Sequence, residues 1–157
     1  MEPFKLPQMS KSEIDYLINS QKISRIAMNG GEYPYLAPFR YVILEKTLYF
    51  HFTDYGKKMK LLKNDCKVCV QIEQYEPDLS SYRFVSLCGK LIQVEDPKEY
   101  DEIRSMFSET GKKGLSTAFL AAHGLNPEKG WDAFKDEEQL LFMKLVSLTW
   151  KIGLKSP

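Results

Sequence analysis

One stretch, Leu48-Tyr49-Phe50-His51-Phe52-Thr53-Asp54-Tyr55-Gly56-Lys57-Lys58-Met59-Lys60-Leu61-Leu62, limits this chain more than any other. It reads as strand, tight turn and short helix. Residues 48–53 are aromatic and β-favouring, which suits a packed pleated surface. Asp54 and Gly56 break the strand, and Asp54 is a candidate cap for the short helix. Met59 and Leu62 fall three apart, the spacing of one apolar helix face. Lys57 and Lys58 therefore sit in a first helical turn. Cations are unwelcome there, because the helix dipole presents its positive end, at ~0.3–1 kcal/mol each. An anion docked at the same corner removes that cost, since free N–H groups and two ammoniums converge on it. The corner suits a phosphate. The competing reading is two solvated lysines on a surface helix.

His51 stands between Phe50 and Phe52 on the same strand. A single histidine there is commonly structural and satisfied by one hydrogen bond. A strand end plus a tight turn, however, separates it from Lys57 by ~10–15 Å. That is about the reach from a nucleotide's phosphate to its ring. Both readings of His51 stay open on spacing alone.

The rest of the chain supplies the frame. Ser10-Lys11-Ser12-Glu13 is a capping box ahead of Ile14, Leu17 and Ile18, which predicts a helix over 11–20. Residues 22–28 read as a strand, Asn29-Gly30-Gly31 as a hairpin signal, and 33–44 as the returning strand. Pro34 and Pro38 cannot donate to a ladder, so that strand is expected at an edge or with a bulge. In its second half Phe39, Tyr41 and Ile43 point one way and Arg40, Val42 and Leu44 the other. Further strands are expected over 66–74 and 82–94, with Gly89 as a bend or bulge. Asp96-Pro97-Lys98-Glu99 announces a helix with Tyr100, Ile103, Met106 and Phe107 on its apolar face. Residues 108–138 carry the weakest signals; they are expected to form a lid or to wrap a partner subunit. A last strand is expected over 139–152. Many antiparallel strands at short spacing, with a few helices inserted, predict a mainly β fold: a barrel of about six strands with helical decorations. Aromatic outer faces on such a barrel suit a two-fold dimer.

Composition narrows the function. The 157 residues fit one domain, 1–157, and a formal charge of +1 lacks the basic field that nucleic acid or a membrane surface requires. No apolar run reaches signal-peptide or membrane-span length, so a cytoplasmic protein is expected. Cys66, Cys69 and Cys88 cannot all pair within one chain, which fits a reducing compartment. Cys66-Lys67-Val68-Cys69 leads into a strand, where positions three apart face opposite sides, so burial is favoured over a redox pair. A zinc site needs two further ligands from Cys88, His51 and His123, and no metal is expected. Gly111-Lys112-Lys113-Gly114 lacks the P-loop pattern and reads as a solvated loop. Asp101-Glu102 and Glu137-Glu138 read as solvated acids and not as a glycosidase pair.

Several ordered segments carry a family likeness: Tyr35-Leu36-Ala37-Pro38-Phe39-Arg40-Tyr41, Leu48-Tyr49-Phe50-His51, Gly56-Lys57-Lys58 with Leu62 soon after, Asn64-Asp65-Cys66-Lys67-Val68, and the 85–94 strand with Gly89. On these the chain resembles the flavin-binding split-barrel proteins related to pyridoxamine 5'-phosphate oxidase, and within them the nitroimidazole-resistance type. The resemblance implies a six-stranded antiparallel split barrel that binds FMN at a homodimer interface. It implies that Lys57 and Lys58 hold the phosphate, as point charges where oxidase relatives have an Arg-Lys pair. Phe39 and Arg40 belong to the strand beside the cofactor, Arg40 approaching phosphate and ribityl chain. Tyr41 and Val42 would run along the isoalloxazine, and Phe52 and Thr53 near ribityl and phosphate. His51 would face the flavin and is the candidate catalytic residue, for proton supply or acceptor orientation. Phe84 and Trp150 would come from the second subunit. The Arg-x-His signature for pyridoxal phosphate is absent from Trp150-Lys151-Ile152-Gly153-Leu154, so pyridoxamine phosphate oxidation is not expected. The function implied is an FMN-dependent oxidoreductase passing electrons to a small organic acceptor, such as a nitro compound or quinone. The alternatives are a non-catalytic flavin- or haem-binding carrier or sensor, and a plain dimerisation module.

Overall fold

Local signals set the helix starts. In the computed structural model, which describes residues 1–137 and 140–157, helix α1 spans Lys11–Ser20. The Ser10 side chain accepts from the Glu13 backbone N–H, and the Glu13 carboxylate accepts from the Ser10 N–H, so two free N–H groups are satisfied at once. Helix α2 spans Lys57–Asn64, and its cap is Gly56 with no side-chain hydrogen bond. Asp54 therefore does not cap it. The turn runs two residues further, to a φ of 94° and ψ of 178° at Gly56 that only glycine adopts without strain. Helix α3 spans Pro97–Lys112, with Asp96 accepting from the Glu99 N–H. A single-turn helix α4, Ala133–Asp136, comes late in the chain.

Six strands, β1 Ile23–Met28, β2 Tyr35–Leu44, β3 Thr47–Phe52, β4 Lys67–Tyr75, β5 Tyr82–Gln93 and β6 Leu141–Lys155, close an antiparallel barrel in the order β1-β2-β3-β6-β5-β4. Glu138, from the second acid pair, and Gln139, the expected first residue of β6, lie outside the described residues. The barrel is split along β2. Its first half pairs with β1 and its second half with β3. Pro38 faces Arg25 in the half with one ladder, so its missing N–H breaks no bond on the other side. Pro34 precedes the strand. Gly89 sits at a register shift between β5 and β6, and a Cβ there would come within 2.6 Å of the Val146 carbonyl oxygen. The glycine is required by close backbone approach.

Alternation on β2 and β3 divides the core in two. Phe39, Tyr41, Leu48, Phe50 and Phe52 fill the barrel interior with aliphatics from β1, β4 and β5. Val42 and Tyr49 face outward and meet Ile103, Phe107, Leu120, Trp131, Phe134 and Phe142. Residues 108–137 are thus a cover packed over their own barrel. Their apolar side chains bury the outward residues of β2, β3 and β6, which water would otherwise reach. The cover contains a 3₁₀-helix at Thr117–His123, a short one at Pro127–Lys129, and α4. Gly111 is no solvated loop residue either. It lies in the last turn of α3, buried so close to the Trp131 ring that a Cβ would stand 2.2 Å from a ring carbon.

The cysteines depart from expectation. Cys69 and Cys88 are directly opposed on β4 and β5 with Cα atoms 4.2 Å apart, and they form a disulfide; Cys66 is free. Facing residues of antiparallel strands point to the same side, and here that side is the outside of the barrel. None of the three is buried, and an oxidised pair is not the state that a reducing compartment favours.

Candidate functional site

The strand–turn–helix stretch forms one wall of a small cleft. A cavity of about 80 Å³ is lined by Phe39, Arg40, His51, Thr53, Lys58 and His123, among others. The volume is below the ~300–1,000 Å³ of ordinary ligand pockets, so it seats part of a ligand and leaves the remainder at its open mouth.

The cationic corner is electrostatically incomplete. Lys58 Nζ stands 5.5 Å from the Phe39 ring centroid and 5.7 Å from that of Phe52, and those rings stack at 4.7 Å. Lys57 is exposed, with its Nζ 5.8 Å from the Tyr35 ring. Neither ammonium has a carboxylate partner among the described residues. Partial burial holds the Lys58 pKa below the ordinary lysine value. The N–H groups of the first turn of α2 have no side-chain cap, and nothing lies within 4 Å of where a Cβ on Gly56 would point. Two cations without a carboxylate partner among the described residues, a helix N-terminus and open space fit a phosphate group.

Arg40 lines the same cleft as Lys58, but its guanidinium is turned to the cover. The group is buried, donating to the Phe107 carbonyl and the Thr110 hydroxyl, and lies 5.1 Å from the Phe107 ring and 4.8 Å from that of Trp131. Burial lowers its pKa to about 10, and the cation is held by π faces and carbonyl dipoles. It ties β2 to α3.

His51 is buried and paired. The chain has two histidines, and their Nδ1 atoms lie 3.1 Å apart across a separation of 72 residues. Desolvation, then the charge of Lys58, lowers the His51 pKa to about 4; desolvation, then His51, lowers that of His123 to about 3. Both shifts favour neutral rings at pH 7, where His51 can act through hydrogen bonds. Thr53 lines the cleft, whereas Phe52 is inside the barrel beneath Lys58. Tyr41 faces the interior, with its hydroxyl donating to the Ile18 carbonyl, and Val42 faces the cover. Phe84 and Trp150 lie on β5 and β6 and do not line the cleft of their own chain. Among the described residues, no group of three or more His, Cys, Asp or Glu side chains is placed to hold a metal ion, and no helix is long and apolar enough to cross a membrane.

His123, Phe119 and Ala122 complete the cleft from the cover, and sequence reasoning did not bring them there. One signal was available for His123. With only two imidazoles in the chain, a functional His51 makes the other the first partner to consider.

The model of the family described as pyridoxamine 5'-phosphate oxidase matches residues 10–125, which include the whole strand–turn–helix stretch and His123. Among solved structures, an FAD-binding protein from Mesorhizobium loti aligns with a TM-score of 0.67 at 16% identity, over 96% of both chains. An FAD-binding protein from Mycobacterium smegmatis aligns at 0.62 and 14%, over 95% of this chain and 97% of its own. A candidate 5-nitroimidazole antibiotic resistance protein from Bacteroides thetaiotaomicron aligns at 0.68 and 18%, over 96% and 87%. At such identities the likeness concerns the fold. Comparison with curated proteins gave no match.

Proposed function

Since the chain belongs to the pyridoxamine 5'-phosphate oxidase family, we propose that it is a flavoprotein, that its flavin is FMN, and that it works as an oxidoreductase on a small organic acceptor. The observation that carries this reading is the uncapped first turn of α2 with two ammoniums that have no carboxylate partner among the described residues. A monophosphate is the group that completes such a corner. Lys57 and Lys58 hold it as anchors. The stacked Phe39–Phe52 pair fixes the position of Lys58 from below. Thr53 and His51 line the wall that leads away from the corner. Bound FMN supplies two-electron transfer between a reduced donor and the acceptor. His51, neutral at pH 7, orients the acceptor by a hydrogen bond.

A homodimer belongs to the same proposal, because the cavity within one chain is too small to enclose a flavin ring. Exposed Tyr33, Leu36, Leu148 and Trp150 supply apolar surface for that contact, and the second subunit's copies of Phe84 and Trp150 would close the mouth. The second reading, a carrier or sensor that binds flavin or haem without turnover, is favoured by the depth of the histidine pair, since both rings are buried. Bleaching of bound flavin by a nicotinamide donor separates the two, and its absence with every donor supports the carrier. Purified protein that stays colourless when FMN is added would leave only a dimerisation module.

The direct test is a fluorescence titration with FMN and with riboflavin. A hydrogen bond to a charged group contributes ~1.5–3 kcal/mol. The double variant Lys57→Ala/Lys58→Ala is therefore expected to lose FMN affinity by ~100-fold or more, to bind riboflavin as the parent does, and to keep its circular dichroism. Unchanged FMN affinity removes the phosphate assignment.

A further inference from the structure

The two imidazoles at the base of the cleft meet nitrogen to nitrogen, Nδ1 to Nδ1 at 3.1 Å. In the neutral pair one proton lies between them, so one ring donates and the other accepts. The donor ring keeps a lone pair on its Nε2, and the acceptor ring carries N–H there. Which ring donates therefore decides what the cleft offers a ligand.

The surroundings of His123 discriminate between the two arrangements. Its Nε2 is buried and has no hydrogen-bond partner among the described residues. The ring stands nearly perpendicular to those of Phe107, Phe119, Trp131 and Phe134, at centroid distances of 5.9, 5.6, 6.2 and 5.0 Å. A π face accepts an N–H and offers nothing to a lone pair. The Trp131 Nε1 hydrogen is already donated to the Leu115 carbonyl, and the Arg40 guanidinium over Phe107 and Trp131 donates to the Phe107 carbonyl and the Thr110 hydroxyl. The Lys58 charge at His51 acts in the same sense, while the Arg40 charge at His123 acts in the opposite one, so the aromatic box decides. The Lys58 ammonium lines the same cleft, and a cation favours a lone pair turned toward it over an N–H.

We propose that His123 is a positioning residue that holds His51 with its proton on Nδ1 and an unprotonated Nε2 toward the cleft, so that this wall selects ligands presenting an N–H or O–H. The two neighbours set the ligand class. A group that donates, such as a phenol or hydroquinone hydroxyl, belongs beside His51, and an anion or acceptor belongs beside Lys58. The selectivity rests on the reading of the cleft as the ligand site; the tautomer does not require that the ligand be FMN.

Long-range ¹H–¹⁵N correlation spectra of the ¹⁵N-labelled full chain, without FMN at pH 7.5, read both tautomers. Two histidines give two spin systems, assigned with His51→Gln. The expected pattern is protonation at Nδ1 of His51 and at Nε2 of His123. The opposite pattern, or rapid averaging on both rings, overturns the proposal in the parent protein before any variant of His123 is made. In His123→Phe, His51 loses its acceptor and its resonances move to a mixture rich in the Nε2–H form; a His51 that keeps its proton on Nδ1 overturns the positioning role. If that variant melts without cooperativity, His123→Gln replaces it, with rotameric averaging at His51 expected and a locked Nδ1–H form counting against. Phenol and anisole then test the selectivity. Phenol should shift the His51 Nε2 resonance toward the protonated value, and anisole should leave it in place. No shift with phenol, or an equal shift with both, overturns the donor preference. None of these measurements contains FMN, so their failure leaves the FMN titration standing, and a chain that takes no FMN still reports its tautomers.

Discussion

Strands β2 and β3 have a barrel interior on one side and a helical cover on the other, and the two sides are made of different chemistry. Inward go Phe39, Tyr41, Leu48, Phe50 and Phe52. The one polar atom among those side chains, the Tyr41 hydroxyl, is satisfied by a backbone carbonyl. Outward go Arg40, Val42, Tyr49 and His51, into a cover that also buries His123 and Ser108. Two polar atoms there, Ser108 Oγ and His123 Nε2, have no partner among the described residues. A buried polar group without a partner lowers stability by ~1–3 kcal/mol. The interior is built for stability, and the cover tolerates polar groups that stability alone would exclude. The cleft opens on the side of the cover.

The largest effects should separate the two regions. Phe50 is fully buried in the interior and Phe134 fully buried in the cover. Either change to alanine should lower stability by ~3–5 kcal/mol if the regions unfold as one. The division argues for different outcomes. Phe50→Ala is expected to raise amide hydrogen exchange in every strand. Phe134→Ala is expected to raise it in α3 and residues 113–137 while the β4–β5 ladder stays protected. Equal deprotection of all strands by both variants would show that the cover is no separate unit.

A second difference is in pH dependence. His51 and His123 have folded pKa values lowered to about 4 and about 3 from 6.5. The unfolded chain therefore binds protons first as the pH falls. Their contribution to stability is complete above about 6.5 and is lost as the pH drops toward 4, at up to ~1.4 kcal/mol per pH unit for each ring. Carboxylates with lowered folded pKa values, Glu13 and Glu99 among them, weaken the fold only as the pH falls through their unfolded value of 4.5. The interval from 6.5 to 4.5 isolates the histidines. Urea unfolding across it should show a decline in the parent protein and a flat profile in His51→Phe/His123→Phe. A decline that survives the double variant would remove the pair as its source.

The same division decides what could be read from the sequence. Interactions between near neighbours were legible: the Ser10–Glu13 capping box, Asp96-Pro97 before α3, and the β2 and β3 alternation that sends Phe39 and Tyr41 one way and Arg40 and Val42 the other. The lysine pair at the start of α2 was legible too, because helix position depends on a few adjacent residues. The His51–His123 contact was not. It joins residues 72 apart through the segment with the weakest periodicity, whose short 3₁₀ turns are shaped by packing against the barrel. Cys69–Cys88 was missed for a related reason. The Cys66–Cys69 spacing drew attention to a local pair, whereas the bond forms across the β4–β5 register. The capping role given to Asp54 failed on one residue's backbone, since Gly56 reaches a conformation that no sequence pattern announces.

That glycine yields the smallest effect on the fold and a sharp test of how the two regions meet. Gly56 joins β3 to the anion corner with φ of 94° and ψ of 178°, a region that L-residues occupy at ~1–3 kcal/mol. A Cβ added there would meet no atom within 4 Å, so Gly56→Ala introduces backbone strain and no clash. The strain is relieved by rotating the first turn of α2, which carries Lys57 and Lys58 away from Tyr35 and from the Phe39–Phe52 stack. The melting temperature should fall by a few degrees, as ~1 kcal/mol does in a domain of this size. FMN affinity should fall by more than the stability change alone accounts for, with riboflavin binding little affected. D-Alanine at position 56, introduced by ligation, adopts the positive φ without strain and should restore both. If L-alanine binds FMN as tightly as glycine does, the corner is held by α2 packing through Met59 and Leu62, which are buried in the barrel cluster, and the anion site belongs to the stable interior and not to the adaptable rim.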